Sequence, residues 1–300
     1  MGLFKLYPDG KLHPLAIVID YKISIENSVV LFNKRLDPNE SGVDQSADWP
    51  WRFAKTALQV SDWTCHELAI HLVNTHFIEE AVIVGAHRAF STGHPVYNLL
   101  KPHWLKTLSL NAAAREVLLP KVILRIAGLT EDQTYAFMRH AYNNFDWTEL
   151  YVPNDLKNRG FPEEKLNSDF KFHNYAYGRN ISLIWQVIRN FVAAIISTDY
   201  SKDSAVAKDP CISQWTQEMR SSTSGAGLKS FPDIKTVDEL IDAVTMCIHI
   251  ASPQHTAVNY VQEYYQSFVI TSRQVCVLLH QTASRFFRPT RKLTSSRHFP

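Results

Sequence analysis

The chain has 300 residues, 45% hydrophobic and 12% aromatic with only ten glycines, a composition that buries a sizeable core and excludes a disordered or low-complexity protein. Lys and Arg number 31 against 29 Asp and Glu, a net charge of +2 with the cations dispersed, which excludes the concentrated basic footprint of a DNA or RNA binder. Cys65, Cys211, Cys247 and Cys276 form no C-x-x-C pair and are too sparse for a disulfide scaffold, so reduced thiols are expected and a cysteine zinc site is not.

The opening MGLFKLYPDG lacks the charged-then-apolar build of a signal peptide, and Leu6 breaks the myristoylation pattern. No run is expected to reach the roughly 20 apolar residues of a membrane span, so a cytoplasmic location is the expectation. Residues 1 to 50 place the turn Pro8-Asp9-Gly10 among short apolar runs such as LAIVI at 15–19, which predicts a few short strands. From Trp51 the apolar positions recur at three and four, with no Gly or Pro between 62 and Gly85, as a long helix requires. Residues 103–119 read as another helix. The stretch 145–180, with Pro153, Gly160, Pro162 and Gly178, reads as a long surface connection. Helices are then expected over ISLIWQVIRNFVAAII (181–196) and over 236–250, the latter continuing to about 268 past Pro253. With no internal repeat and no linker, one mainly α domain is expected.

Four polar side chains stand out against this pattern: His71 and His76 in HELAIHLVNTHFIEE, and His255 and Asn259 in SPQHTAVNYVQ. Four residues turn an ideal α-helix by about 400°, so His255 and Asn259 share a face and can share a metal. Five residues turn it by about 500°, which would point His71 and His76 about 140° apart unless the helix widens into a π-type turn between them. The alternative reading makes them ordinary histidines of an amphipathic helix. Six of the thirteen histidines fall between 66 and 103, however, a density that favours a site. His66-Glu67 followed by His71 is a near miss for the zinc metalloprotease helix, because the second His arrives one residue late.

These residues resemble the lipoxygenase family. The resemblance is carried by the histidine helix, with a further His-Pro at His94-Pro95, and by PDGKLHPLAI (8–17), AHRAFSTGHPVYNLLKPH (86–103), LNAAAREVLL (110–119), PNDLKNRG (153–160) and SPQHTAVNYVQ (252–262), in family order. It implies a mainly α fold, the helical lipoxygenase catalytic domain in part, with the metal site between two long central helices and a few strands near the N-terminus. His71, His76 and His255 match the three iron-binding histidines and Asn259 the weaker fourth ligand; His66 matches a position that is not a ligand. Non-haem iron is the implied cofactor, with manganese used by some fungal members, and the donor set suits both. The implied reaction inserts O2 into a polyunsaturated fatty acid with a cis,cis-1,4-pentadiene unit. A metal-bound hydroxide acts as the base there, so no side chain is expected in that role.

Ala114 matches the position whose Ala or Gly separates S from R products, which implies an S hydroperoxide; it also suits simple helix packing. Leu118 matches an apolar residue that clamps substrate near the metal, and equally reads as core. Glu67 and Gln262 match positions outside the ligand set that can hydrogen-bond each other. Two departures are expected to matter. The family's C-terminal carboxylate, a fifth ligand, has no counterpart at Pro300, and the likeness fades after about Val269 into a tail (270–300) carrying Arg285, Arg288, Arg291, Lys292 and Arg297. The chain is therefore read as a single partial catalytic domain without the N-terminal β-barrel, monomeric, with peripheral contact to anionic membranes open to the tail. The alternative is a catalytically inactive remnant that binds lipid or nothing.

Overall fold

The computed structural model describes residues 1–267, so the basic tail and Cys276 lie outside the described residues. Three antiparallel strands, β1 (Gly2–Leu6), β2 (Leu12–Ile19) and β3 (Val29–Phe32), form one sheet in the order β1-β2-β3. The Pro8-Asp9-Gly10 turn joins the first two, with Gly10 N–H bonded to the Tyr7 carbonyl at 2.9 Å. Gly10 has φ +77°, and a Cβ there would stand 2.4 Å from the His173 ring, so the hairpin tip needs glycine both for its backbone and for its docking.

The rest of the described residues are helical or loop: α1 (Trp49–Cys65), α2 (Ile78–Ala89), α3 (Pro95–Leu100), α4 (Thr107–Ala113), α5 (Leu124–Ile126), α6 (Glu131–Asn143), α7 (Val152–Asn158), α8 (Glu163–Leu166), α9 (Ala176–Asp199), α10 (Asp203–Lys208), α11 (Pro210–Arg220), α12 (Val237–His249) and α13 (His255–Gln266). Three π segments interrupt them, at His66–Phe77, Ala114–Ile123 and Ile250–Gln254. Two of the three contain a proline, Pro120 and Pro253, whose missing N–H breaks the α ladder and is absorbed by the wider turn.

The main core gathers around Trp147, Trp215 and Phe231, all fully buried, with Phe231 packed edge-on against both tryptophans at 4.8 and 5.2 Å between ring centres. α2 packs on α11 and α9 on α12, and Thr236 closes a capping box with Glu239 that fixes the start of α12. A second cluster, Leu68, Leu72, Val73, Leu119, Ile123 and Met138, lies beneath the first π segment and pins it to α6.

The mainly α architecture follows the sequence reading, but three expectations are corrected. The stretch 145–180 is no surface connection: it holds α7 and α8 and buries Phe145, Trp147, Val152, Leu156, Leu166 and Phe172. Its prolines and glycines punctuate short helices, Pro153 in the first turn of α7 and Gly160, at φ +82°, just past its end. The helix expected over 103–119 instead begins with a 3₁₀ turn at Lys101–Trp104 and runs on through Pro120 to Ile126. Finally, two helical runs, Trp49–Ala89 and Ala176–Asp199, are long and apolar enough to cross a bilayer by length and composition. The first is a core helix, mostly buried, whereas α9 leaves Leu183, Val187 and Phe191 exposed.

Candidate metal centre

His71 and His76 sit in the first π segment, within a continuous helical run of 41 residues. An i→i+5 turn stacks residues five apart on one side, which is the geometry the sequence spacing demanded, although the widening spans 12 residues rather than one bulge. The Thr75 hydroxyl donates to the His71 carbonyl and occupies an acceptor inside the widened turn. Leu68, Leu72 and Val73 on the opposite side are fully packed, so burial holds the segment in this unusual form.

His255 opens α13 and enters from across the core. Its Nε2 lies 3.1 Å from His76 Nε2, which is 3.3 Å from His71 Nε2. One ring nitrogen of each of the three histidines lies within 4.8 Å of the other two, a spacing that could hold a metal ion. His71 is buried, and His76 and His255 are half-buried. Burial lowers the His76 pKa below the usual imidazole range, against the opposing hydrogen bond of Asn111. Burial, then the neighbouring His76 and His71, pushes His255 down to about 4. His76 and His255 are therefore poised as neutral nitrogen donors at neutral pH.

Asn259 lies one turn beyond His255 on α13, exposed and without a side-chain hydrogen bond among the described residues. Glu67 is 2% exposed and receives Gln262 Nε2 at 2.6 Å; Gln262 Nε2 is also 2.7 Å from His71 Nδ1, and His71 Nδ1 is 3.4 Å from Glu67 Oε2. Burial pushes the Glu67 carboxyl up, but the hydrogen bonds from His71 and Gln262 outweigh it and hold the pKa below the ordinary value. Glu67 Oε1 is buried with no partner among the described residues. His66 is turned away from the cluster, its Nε2 donating to the Val258 carbonyl at 3.0 Å. That bond engages the nitrogen a metal would need.

Ala114 begins the second π segment and is half-buried. Leu118 is 39% exposed, so the reading of it as core is wrong; the buried leucine of that turn is Leu119. Sequence reasoning missed Asn111, fully buried, which accepts from His76 Nδ1 at 2.8 Å. An Asn inside an otherwise apolar helix disfavours that helix and was the available signal. It also missed the tie from Tyr265 to Asp62, which joins α13 to α1. The second cluster of possible ligands, His94, Asp209 and Cys211, is occupied internally: His94 Nδ1 accepts from Val96 N, Nε2 faces Asp209, and Asp209 caps α11.

The family model "Lipoxygenase" matches residues 1–282. A relative from Pleurotus sapidus, "Manganese lipoxygenase", is 55% identical over 90% of this chain and 42% of its own length. "Linoleate 9S-lipoxygenase 5" of Arabidopsis thaliana is 33% identical over 89% of this chain and 31% of its own length. Among solved structures, the fungal lipoxygenase of Fusarium graminearum superposes with a TM-score of 0.86 at 48% identity, covering 90% of this chain and 41% of that one. This chain thus spans less than half the length of the relatives it matches.

Proposed function

This chain belongs to the lipoxygenase family, and from that premise we propose that it serves a metal-dependent dioxygenase that converts polyunsaturated fatty acids with a cis,cis-1,4-pentadiene unit into S hydroperoxides. One observation carries the reading: imidazoles from segments 179 residues apart converge with their Nε2 atoms 3.1 Å apart, beside a third. Three bare nitrogens at such spacing repel one another unless a proton or a cation lies between them. Neutral nitrogen and carboxamide donors fit a non-haem iron or manganese, and the relative named for manganese supports that metal as strongly as iron. His71, His76 and His255 would hold it, with Asn259 as a weaker fourth donor.

When bound, such a metal supplies the one-electron oxidation that takes a hydrogen atom from the bisallylic carbon, after which dioxygen adds to the pentadienyl radical. The side chains position and enclose. Gln262 donates to Glu67, and the Glu67 carboxylate faces Nδ1 of His71, which orients the ring. The packed Leu68, Leu72 and Val73 exclude water behind the imidazoles. Ala114 supports the S outcome, and the curated 9S relatives support linoleate as substrate class. The test is direct: measure iron and manganese in the purified chain, reconstitute with each, and follow conjugated-diene absorbance with linoleate. Diene formation with either metal supports the proposal; none with both contradicts it for this chain.

A further inference from the structure

Asn111 is 0% exposed and sits on α4, four residues before Arg115, and every polar atom of its side chain is committed. Its Nδ2 donates to the His76 carbonyl at 2.8 Å and to Glu80 Oε2 at 3.0 Å. Both partners are acceptors, so the amide has one sensible orientation, with nitrogen toward them and Oδ1 toward the His76 ring. Oδ1 lies 2.8 Å from His76 Nδ1. A carbonyl oxygen only accepts, so Nδ1 must carry the proton and Nε2 must present its lone pair to His71 and His255. Arg115 closes the arrangement from outside: its guanidinium donates to the same Glu80 oxygen at 2.8 Å and stacks over Phe77 at 5.1 Å. The Glu80 carboxylate, fixed by Arg115, thereby holds the amide in register.

We propose that Asn111 is the positioning residue of His76: it sets the tautomer and the ring plane that make Nε2 a metal donor, with Glu80 and Arg115 holding Asn111 in turn. The proposal rests on the reading of His76 as a ligand. Of the three histidines, His76 alone has its Nδ1 held by a side chain from the helix that leads into Ala114 and Leu118. The bond therefore joins the donor cluster to the segment that carries the residues assigned to substrate.

The experiment titrates Mn²⁺ alone into the metal-free full chain, comparing wild type with Asn111→Leu and Asn111→Asp, and records the Mn²⁺ magnetic resonance spectrum of each. Asn111→Leu removes acceptor and donors; Asn111→Asp keeps the acceptor facing Nδ1 and loses both donors. The leucine variant is expected to bind Mn²⁺ about 10- to 100-fold more weakly, with an altered spectrum, while the aspartate variant, which keeps the acceptor at Nδ1 but loses the hold of Glu80, shows a clearly smaller loss. A purely structural tie would weaken both variants alike, and that result, or a leucine variant indistinguishable from wild type, overturns the proposal. Wild type that binds no Mn²⁺ overturns the ligand reading itself, a different failure seen before any variant is made. Should the leucine variant not fold, the imidazole nitrogen spectrum of the metal-free wild type decides: His76 protonated on Nδ1 supports the proposal, and protonation on Nε2 alone refutes it.

Discussion

Gln262 donates to the buried Glu67 carboxylate at 2.6 Å, and this bond spans the two helical runs that carry the histidines. Without it Glu67, 2% exposed and already lacking a partner at Oε1, would keep only the long 3.4 Å contact with His71. Gln262→Leu is expected to cost about 1–3 kcal/mol, the penalty for stranding a buried charged acceptor. Glu67→Gln in that background should recover part of the loss, because a neutral amide is less costly to bury. Denaturant midpoints for the two single variants and the double variant give the coupling; strict additivity would show that the two residues do not act together.

A second prediction concerns pH. Glu79 is 5% exposed, and burial raises its pKa from the ordinary 4.5 to about 7 despite the hydrogen bond from Thr107. Below pH 4.5 the carboxyl is protonated in folded and unfolded chain alike. Between 4.5 and about 7 the unfolded chain releases a proton that the folded chain retains, so stability falls as pH rises, by on the order of 3 kcal/mol in all. Glu79→Gln keeps an acceptor for Thr107 and removes the titration. Its stability relative to wild type should therefore rise between pH 5 and pH 8 in urea unfolding of the metal-free chain. Parallel pH profiles for the two proteins would contradict this assignment.

The third prediction addresses stereochemistry. Ala114 opens the π segment that begins three residues after Asn111 and is half-buried. Ala114→Gly adds room at that turn and should shift product from S toward R hydroperoxide on chiral chromatography, with stability lowered by about 1 kcal/mol for glycine inside a helix. An unchanged S product would reduce Ala114 to a packing residue.

Much of the site was legible in the sequence because helical geometry is strict. The five-residue spacing of His71 and His76 could share a metal only through a widened turn, and that turn is present. The four-residue spacing of His255 and Asn259 placed them on one side of α13. What stayed hidden depends on tertiary contacts or on the ambiguity of punctuation. Pro153 and Gly160 signal a loop and a helix boundary equally well, so α7 and the burial of Trp147 beside it went unread. Leu118 and Leu119 are the same residue type one position apart, and only the drift of the π segment decides that Leu119 faces the core. Asn111 falls inside the LNAAAREVLL block, but that block does not say what it bonds; its meaning comes from His76, 35 residues away, meeting it in space.

The central claim, that His71, His76 and His255 hold one metal ion, is tested most directly by Mn²⁺ stoichiometry joined to nitrogen hyperfine coupling in the purified chain. The account predicts one Mn²⁺ per chain, coupled to imidazole nitrogen, with both signals lost in His255→Ala while the helical fold persists. A His255→Ala chain that binds Mn²⁺ with the same stoichiometry and coupling as wild type would contradict it.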